Sequence, residues 1–247
     1  MKNTVIIIPA RLGAKRFPNK PLAKINNEPM IIHVLNRAKE SKIGEVYVAT
    51  PDDLIFKIVK ENGGNAILTK GDHLTGSDRI FEAYEKIKEF KNNVNLILNL
   101  QGDMPNIKPS SISKLVELMK NNNCDIGTMA SHIKDKSDLT DPNVVKVHID
   151  KILTDNSFFE AKDFFRTKDN LRNEKIYHHI GIYAFTNNAL TKYVKLARSK
   201  LEIDRNLEQM RALDNNMRLK VGLSDSTPLS IDTEEDLSKV SKQMEKL

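Results

Sequence analysis

Residues 5–22 read VIIIPARLGAKRFPNKPL, and this stretch decides how the chain is interpreted. Its first four residues, Val5 to Ile8, form an unbroken apolar run rich in β-branched side chains, which is typical of a buried strand in a parallel sheet. The fourteen residues that follow contain four cations, three prolines and one glycine. That composition excludes a helix or the interior of a strand. The sequence therefore predicts a buried strand that ends in a long basic loop.

The basic loop, residues 9–22, is a candidate binding site for an anion. In an open parallel sheet, ligands bind beyond the carboxyl ends of the strands, which is where this loop is expected. Arg11, Arg16 and Lys20 would then converge on a strongly anionic ligand. The alternative is a solvated loop without a ligand. The prolines favour the first interpretation, because they stiffen the loop and hold its cations in place.

Strands and helices are expected to alternate along the first half of the chain. The spacing of apolar residues predicts helices at Pro29–Ser41 and Asp52–Asn62, with a strand between them at Glu45–Thr50. A further buried strand is expected at Asn95–Leu100. We therefore predict an α/β protein with a mainly parallel, twisted sheet flanked by helices, in one domain that spans residues 1–247.

The second half yields three more predictions about structure. Alternating polar and apolar residues predict a strand at Tyr177–Phe185. Amphipathic spacing predicts one helix through Leu201–Leu213. Ile231 is expected to end a strand, which is followed by a helix that Thr233 caps.

Composition excludes several classes of protein. Of the 247 residues, 39% are hydrophobic and 29% are charged, which is ordinary for a soluble globular protein. No apolar run approaches the ~20 residues of a membrane span, and the first residues do not predict a signal peptide. The single cysteine, Cys124, excludes an intramolecular disulfide and a cysteine-rich zinc site. We expect a cytoplasmic protein without a membrane partner.

The net charge of +6 raises nucleic-acid binding as a hypothesis. However, the lysines are scattered along the whole chain and are mixed with aspartate and glutamate. No motif of a nucleic-acid-binding module is visible either. We therefore expect no nucleic-acid partner.

Two aspartates are candidate metal ligands. Asp103 and Asp232 are each expected to follow a strand. The carboxyl ends of parallel strands lie at one edge of a sheet, so the two carboxylates would meet over one cleft. Mg²⁺ binds through one or two carboxylates together with substrate phosphates. The sequence therefore predicts a magnesium site that is completed by a phosphorylated substrate.

The stretch from Thr75 to Arg79 has the chemistry of a helix N-terminus. One interpretation is that it is only a cap. The other is that backbone N–H groups and the hydroxyl of Ser77 recognise the polar edge of a base by hydrogen bonds. Arg79 would then pair with a phosphate or orient the basic loop.

These motifs resemble those of the sugar-activating cytidylyltransferases, most closely the family of CMP-Kdo synthetases (3-deoxy-manno-octulosonate cytidylyltransferases). The similar segments are Pro9-Ala10-Arg11, the run from Arg16 to Leu22, His73 to Arg79, Gln101 to Pro105, and Ile231 to Leu237. The resemblance implies a nucleotide-diphospho-sugar transferase-like fold and a CTP site. It makes Arg11, Arg16 and Lys20 phosphate contacts, and Gly76, Ser77 and Arg79 nucleotide contacts. It also makes Asp103 and Asp232 ligands of Mg²⁺, so that the catalytic residues are Arg11, Lys20, Asp103 and Asp232.

The same resemblance implies contacts to an acidic keto-sugar, from Gln101, Arg166, His179, Tyr183, Glu208 and Gln209. The adjacent His178 and His179 do not predict a metal site, because neighbouring residues of a strand point to opposite faces. The implied reaction joins CTP and Kdo to give CMP-Kdo and pyrophosphate, for lipopolysaccharide biosynthesis, and the implied assembly is a homodimer.

Two alternatives stay open at the level of sequence. The sugar could be another acidic sugar, such as 8-amino-Kdo or a sialic-acid-like sugar, because the region around Arg166 departs from the family pattern. The chain could instead be a nucleotide-binding regulator without catalytic activity. The presence of both Asp103 and Asp232 argues against a regulator, since a protein that only binds a nucleotide has less need of metal ligands.

Overall fold

A computed structural model describes residues 3–13, 16–168 and 175–245. Its contacts divide the chain into two compact units. The first unit contains the residues up to Ser113 and those from Pro228 onward, and the second contains Lys114–Thr227. The single domain over residues 1–247 therefore stays a prediction.

The first unit is built on a parallel four-stranded sheet. Its strands are β1 (Thr4–Pro9), β4 (Glu45–Thr50), β5 (Asn65–Leu68) and β6 (Leu96–Leu100), in the order β5-β4-β1-β6. A small antiparallel pair, β2 (Lys24–Ile25) and β3 (Glu28–Pro29), follows the basic loop. The run Val5 to Ile8 is fully buried in β1, between β4 and β6. The predicted buried strand is confirmed.

Helices cover this sheet as the periodicity predicts. They are α1 (Met30–Glu40), α2 (Asp53–Glu61), α3 (Gly76–Lys88) and, near the end of the chain, α8 (Glu234–Met244). Helix α4 spans Pro109–Asn121, and the boundary between the two units along the chain falls within it. The predicted α/β class, with a mainly parallel sheet flanked by helices, is confirmed.

The second unit has a mixed sheet. Its strands are β7 (Ile126–Ser131), β8 (Lys146–His148), β9 (Phe158–Glu160), β10 (Asp163–Phe165), β11 (Ile176–Thr186) and β12 (Leu219–Leu223). Strands β7 and β12 are parallel, whereas β11 pairs antiparallel with β7 and β8. The long strand predicted at Tyr177–Phe185 is confirmed as β11. Strands β9 and β10 were not predicted from the sequence.

Two sequence predictions about elements are wrong. Leu201–Leu213 is not one helix but two, α6 (Lys200–Arg205) and α7 (Met210–Asp214), after α5 (Asn187–Tyr193). Asn206 adopts a left-handed conformation (φ 51°) and ends α6, as asparagine often does at a helix end. The second error is the strand before Asp232, because residues 228–232 form no strand.

The segment before Asp232 is held by single hydrogen bonds and apolar contacts instead of a strand ladder. The N–H of Ile231 donates to the carbonyl oxygen of Asp103 at 3.0 Å. The side chain of Ile231 packs in a buried cluster with Ile25, Met30 and Val240, which joins β2, α1 and α8. The capping box of Thr233 begins α8 as predicted. The loop is therefore fixed beside Asp103 although it is not a strand.

None of the described helices is both long and apolar enough to cross a membrane.

Candidate active site

A cavity of about 300 Å³ opens in the first unit, beyond the carboxyl ends of β1 and β6. Its lining combines the start of the basic loop, the start of α3 and the loop after β6. The lining residues include Pro9, Ala10, Arg11, Lys20, Gly76, Arg79, Gln101, Gly102 and Asp103. The position agrees with the rule for ligand sites in parallel sheets. The structure thus brings most of the predicted nucleotide-binding residues to one cavity.

Lys20 lies between the two predicted metal ligands. Its Nζ donates to Asp103 Oδ2 at 2.9 Å, to Asp232 Oδ1 at 3.2 Å and to the carbonyl oxygen of Ile231 at 2.8 Å. Burial by itself would lower the pKa of Lys20, but the charges and hydrogen bonds of the two aspartates outweigh it and raise the pKa above its usual range. The ammonium group is therefore firmly charged.

This cluster, Lys20 with Asp103 and Asp232, remains open to solvent. The exposed fraction of the side chain is 15% for Lys20, 27% for Asp103 and 38% for Asp232. Arg16 Nη2 contacts the second carboxylate oxygen of Asp232 at 3.1 Å. Residues 14–15 of the basic loop lie outside the described residues. The predicted convergence of the two aspartates is observed, with two cations beside them.

The oxygen atoms around Lys20 suit a hard cation. Two carboxylates and one carbonyl oxygen surround a single positive charge, and oxygen ligands of this kind hold Mg²⁺ in proteins. No group of three or more His, Cys, Asp and Glu side chains in the described part of the chain could hold a metal by itself. A metal here would need further ligands from a substrate, as Mg²⁺ sites for phosphorylated substrates do.

The start of the basic loop is fixed by a side chain from the next strand–helix connection. The N–H of Leu12 donates to Asp52 Oδ2 at 2.9 Å, which holds the backbone next to Arg11. Arg11 lines the cavity together with Arg79. The pKa of Arg79 is lowered, first by burial and then by the positive charge of Arg11. Two guanidinium groups near each other favour an anion in this cavity.

Helix α3 begins at the cavity with a complete capping box. Thr75 accepts from the N–H of Asp78, and the Asp78 side chain accepts from the N–H of Thr75. Gly76 lines the cavity, whereas Ser77 is buried and is not among the lining residues. The Arg79 side chain donates to Thr69 Oγ1 and to the carbonyl oxygen of Lys70. The predicted helix cap is observed, whereas base recognition by Ser77 stays a prediction.

Asn99 is a site residue that the sequence did not reveal. Asn99 is the polar residue of β6, whose other four residues are apolar. Its Oδ1 accepts a hydrogen bond from Gln101 Nε2 at 3.4 Å. Its buried Nδ2 has no hydrogen-bond partner among the described residues. A single polar residue within the run LILNL was the only available signal. Asn99 supports the side chain of Gln101, which lines the cavity.

The second unit holds a separate buried cluster around His179. His179 Nε2 is 3.0 Å from Thr128 Oγ1, and its ring lies edge-on to Phe164 and 5.5 Å from the ring of Tyr183. Burial, and to a lesser degree the charge of His178, lowers the pKa of His179 to about 3. Neutral imidazole is therefore the form present at neutral pH. His178 instead lies near Asp138, so the two histidines point apart as predicted.

Glu208 belongs to the same surroundings as Tyr183. Burial raises the pKa of Tyr183, and the negative charge of Glu208 raises it further. The hydroxyl of Tyr193 donates to the carbonyl oxygen of Glu208 at 2.6 Å, and Gln209 is buried next along the chain. The structure therefore brings His179, Tyr183 and Glu208 together in the second unit.

Arg166 is placed differently from the other predicted sugar contacts. Its guanidinium donates to the carbonyl oxygens of Pro142 and Asn143 at 3.0 and 3.3 Å. It lines a cavity of about 370 Å³ together with Asp163 and Arg205. A contact from Arg166 to a sugar stays a prediction.

The comparison with known proteins agrees with this geometry. The family model for cytidylyltransferases matches residues 5–219. The chain belongs to the cytidylyltransferase family. A 3-deoxy-manno-octulosonate cytidylyltransferase of Bartonella tribocorum is 45% identical over 238 residues, which cover 96% of this chain and 97% of that protein. The enzyme of the same name from Brucella ovis is 42% identical, over 96% of this chain and 93% of that protein.

Solved structures extend the likeness of this cytidylyltransferase to the fold. A CMP:2-keto-3-deoxy-manno-octonic acid synthetase complexed with CTP superposes with a TM-score of 0.87 at 32% identity, over 98% of both chains. A 4-diphosphocytidyl-2C-methyl-D-erythritol synthase from Anaerococcus prevotii reaches a TM-score of 0.64 at 19% identity, over 99% of both chains. The second likeness concerns the fold alone.

Proposed function

We propose that the protein is a 3-deoxy-manno-octulosonate cytidylyltransferase. It transfers CMP from CTP to the sugar acid Kdo and releases pyrophosphate, which provides activated Kdo for lipopolysaccharide biosynthesis. The observation that carries this proposal is the cavity in which Arg11, Lys20, Gly76, Arg79 and Asp103 meet. Relatives that share 42–45% of their residues with the chain carry the same name.

The triphosphate of CTP is assigned to the cationic side of the cavity. Arg11 offers a planar fork of donors to phosphate oxygens, whereas Lys20 acts as a compact charge. Arg16, at the open side, adds a third cation. The start of α3 adds N–H groups and the positive end of a helix dipole. Arg79 extends this positive surface towards the start of the basic loop.

The base is assigned to the start of α3, with Gly76 and Ser77. Cytosine offers an amino donor where uracil offers a carbonyl, so a site that hydrogen-bonds one edge leaves buried groups unpaired with the other. The absence of a side chain on Gly76 keeps the space near Pro9, Asn99 and Gln101 open.

Asp103 and Asp232 would hold Mg²⁺, which fits their oxygen atoms and the charge of a triphosphate. When bound, the metal would neutralise charge on the phosphates and on the pyrophosphate leaving group. The chain itself contributes positioning and positive charge. Arg11 and Lys20 would hold the triphosphate so that the sugar hydroxyl oxygen meets the α-phosphorus in line. One P–O bond forms to the sugar as the P–O bond to pyrophosphate breaks.

Contacts to the sugar acid are inferred from the family resemblance alone. The residues concerned are Gln101, Arg166, His179, Tyr183, Glu208 and Gln209. The neutral ring of His179 can donate or accept a hydrogen bond from a sugar hydroxyl without carrying a charge. A homodimer is inferred from the family resemblance alone, and a cytoplasmic location from the composition. Light scattering after gel filtration tests the dimer.

The decisive experiment measures pyrophosphate release with CTP, Mg²⁺ and a panel of acidic sugars. We expect turnover with Kdo that exceeds turnover with 8-amino-Kdo and with N-acetylneuraminate, and no comparable turnover when UTP replaces CTP. Preference for 8-amino-Kdo or a sialic acid would keep the reaction class and change the substrate. Pyrophosphate release with none of the sugars, from folded protein, would contradict the proposed function.

A further inference from the structure

The Lys20 ammonium group has already used its hydrogen-bonding capacity. An ammonium carries three N–H donors and no acceptor. Three acceptors surround it: Asp103 Oδ2, Asp232 Oδ1 and the carbonyl oxygen of Ile231, at 2.9, 3.2 and 2.8 Å. A phosphate oxygen cannot be added to this set without the loss of one of these bonds. Lys20 therefore cannot serve both carboxylates and a triphosphate fully at the same time.

Together with Arg16, the charges of the cluster are balanced as they stand. Asp103 and Asp232 contribute two negative charges, and Lys20 and Arg16 contribute two positive ones within ion-pair distance. A divalent cation that approached the same carboxylates would meet a neutral group and would be repelled by Lys20. Because Lys20 is the least exposed member of the cluster, solvent screens this repulsion less than it screens the effect of Arg16.

We propose that Lys20 is the built-in counter-ion of the Asp103–Asp232 pair and competes with the divalent metal for those two carboxylates. This inference rests on the proposed function for the identity of the metal and the nucleotide. Binding of a triphosphate would draw Lys20 to the phosphates and free the carboxylates. Metal and nucleotide therefore bind with positive coupling, and each raises the affinity of the site for the other. The free protein holds the metal weakly.

The opposite possibility is that Lys20 is a fixed structural clamp. In that case Lys20 keeps the two aspartates in place, and its removal spreads them apart. Metal affinity would then fall or stay the same when the charge of Lys20 is removed. Only the counter-ion proposal therefore predicts that metal affinity rises when the charge of Lys20 is removed.

The test measures Mn²⁺ binding by electron paramagnetic resonance, without nucleotide. Lys20→Met keeps an unbranched side chain that is one atom shorter and removes its charge. We expect it to bind Mn²⁺ about tenfold more tightly than the wild type, which is a typical size for coupling between sites. Lys20→Arg keeps the charge and should retain weak binding. Arg16→Met is the matched control, with a smaller gain. Equal or weaker Mn²⁺ binding by Lys20→Met would overturn the proposal.

A second measurement uses the wild-type protein, so that it does not depend on the folding of a variant. The amine of Lys20 is acetylated with an activated ester, and its modification is quantified by mass spectrometry. We expect Lys20 to react faster when millimolar Mg²⁺ is present, because the metal displaces it from the carboxylates. An unchanged acetylation rate would contradict the proposed competition between Lys20 and the metal. Neither measurement uses turnover. A failure of the proposed competition is therefore distinguishable from a failure of the proposed function in the pyrophosphate assay.

Discussion

Two of the clusters of opposite charges in the described residues differ in their access to water. In the first unit, Lys20 lies between Asp103 and Asp232, and all three side chains are partly exposed. In the second unit, Glu202 and Arg211 form an ion pair whose side chains are 0% and 2% exposed. The first cluster has oxygen atoms that a ligand can reach, whereas the second has none. We infer that the first exchanges partners and that the second holds the structure together.

The buried pair satisfies its groups completely. Arg211 donates to both carboxylate oxygens of Glu202, at 2.8 and 2.7 Å, and Arg198 adds a bond at 2.9 Å. Burial by itself would raise the pKa of Glu202, but the hydrogen bonds from Arg211 and Arg198 lower it. The guanidinium of Arg211 also stacks over the ring of Tyr193, 4.7 Å from its centroid. Tyr193 in turn donates to the backbone of Glu208, so the pair fixes that turn.

The largest effect is expected from Glu202→Gln. The substitution leaves the charge of Arg211 buried without a carboxylate, and breaking such a pair costs about 3–5 kcal/mol of unfolding free energy. Urea unfolding at neutral pH measures this loss. Glu235→Gln is the control, because Glu235 pairs with Lys239 on an exposed helix face, and we expect no measurable change. A loss for Glu202→Gln that is no larger than for the control would remove the contrast between the two clusters.

A substitution in the solvent-accessible cluster of Lys20, Asp103 and Asp232 should lower activity and leave stability unchanged. Asp103→Asn keeps the shape of the side chain and still accepts a hydrogen bond from Lys20, so the fold should be unchanged. Turnover should fall by ~10²–10³, which is the scale for loss of electrostatic stabilisation of a transition state. Steady-state kinetics with urea unfolding on the same preparation measure both quantities. Asp225→Asn, at a partly exposed carboxylate of the second unit, is the control and should leave turnover unchanged.

The contrast also explains which features the sequence could predict. Strand β1, the basic loop and helices α1 and α2 were predicted because their signals are local: an apolar run, prolines and helical spacing. The pairing of Glu202 with Arg211 was not predictable in this way. In a continuous helix, residues nine apart lie about 180° apart around the axis, which would have kept Glu202 and Arg211 on opposite faces. The break at Asn206 folds Arg211 back onto Glu202.

The placement of Asp232 in the site also depends on contacts that local sequence patterns do not report. The sequence correctly brought Asp232 to Asp103, but through a strand that does not exist. The actual connection is one backbone bond from Ile231 to Asp103 and an apolar cluster formed by distant segments. Contacts of this kind depend on tertiary packing, which periodicity does not report. Asn99 was missed for a related reason, since its role depends on its neighbour Gln101 in space.

His179 offers a test of burial in the second unit by pH. Its pKa is about 3 in the folded protein and 6.5 in the unfolded chain. Below pH 6.5, His179 is therefore protonated in the unfolded chain but stays neutral in the folded protein. This contribution to stability is fully present above pH 6.5 and is lost as the pH falls towards 3. Between about pH 6 and pH 4, the wild type should lose about 1.4 kcal/mol per pH unit more than His179→Gln.

Urea unfolding at several pH values gives the two slopes, and His178→Gln is the matched control. Burial also lowers the pKa of His178, but Asp138 works against the shift, so its removal should change the slope less. Parallel slopes for the wild type and His179→Gln would mean that His179 is not sealed from water.

The smallest effect is expected at Arg16, beside the cluster of Lys20, Asp103 and Asp232. Its substitution tests whether the two cations contribute independently to CTP binding. Arg16 contacts Asp232 through one oxygen atom at 3.1 Å, and 64% of its side chain is exposed. Exposed ion pairs contribute about 0–1 kcal/mol, so Arg16→Ala should leave the urea midpoint nearly unchanged. The loss of one cation near the triphosphate should raise the KM for CTP a few-fold, and this effect should shrink as salt screens the charge.

Lys20→Ala should raise the KM for CTP more than Arg16→Ala does, and this increase should persist at high salt, because Lys20 is largely shielded from solvent. Kinetics at low and high ionic strength separate the two cations, and equal salt dependence would mean that both belong to one screened surface.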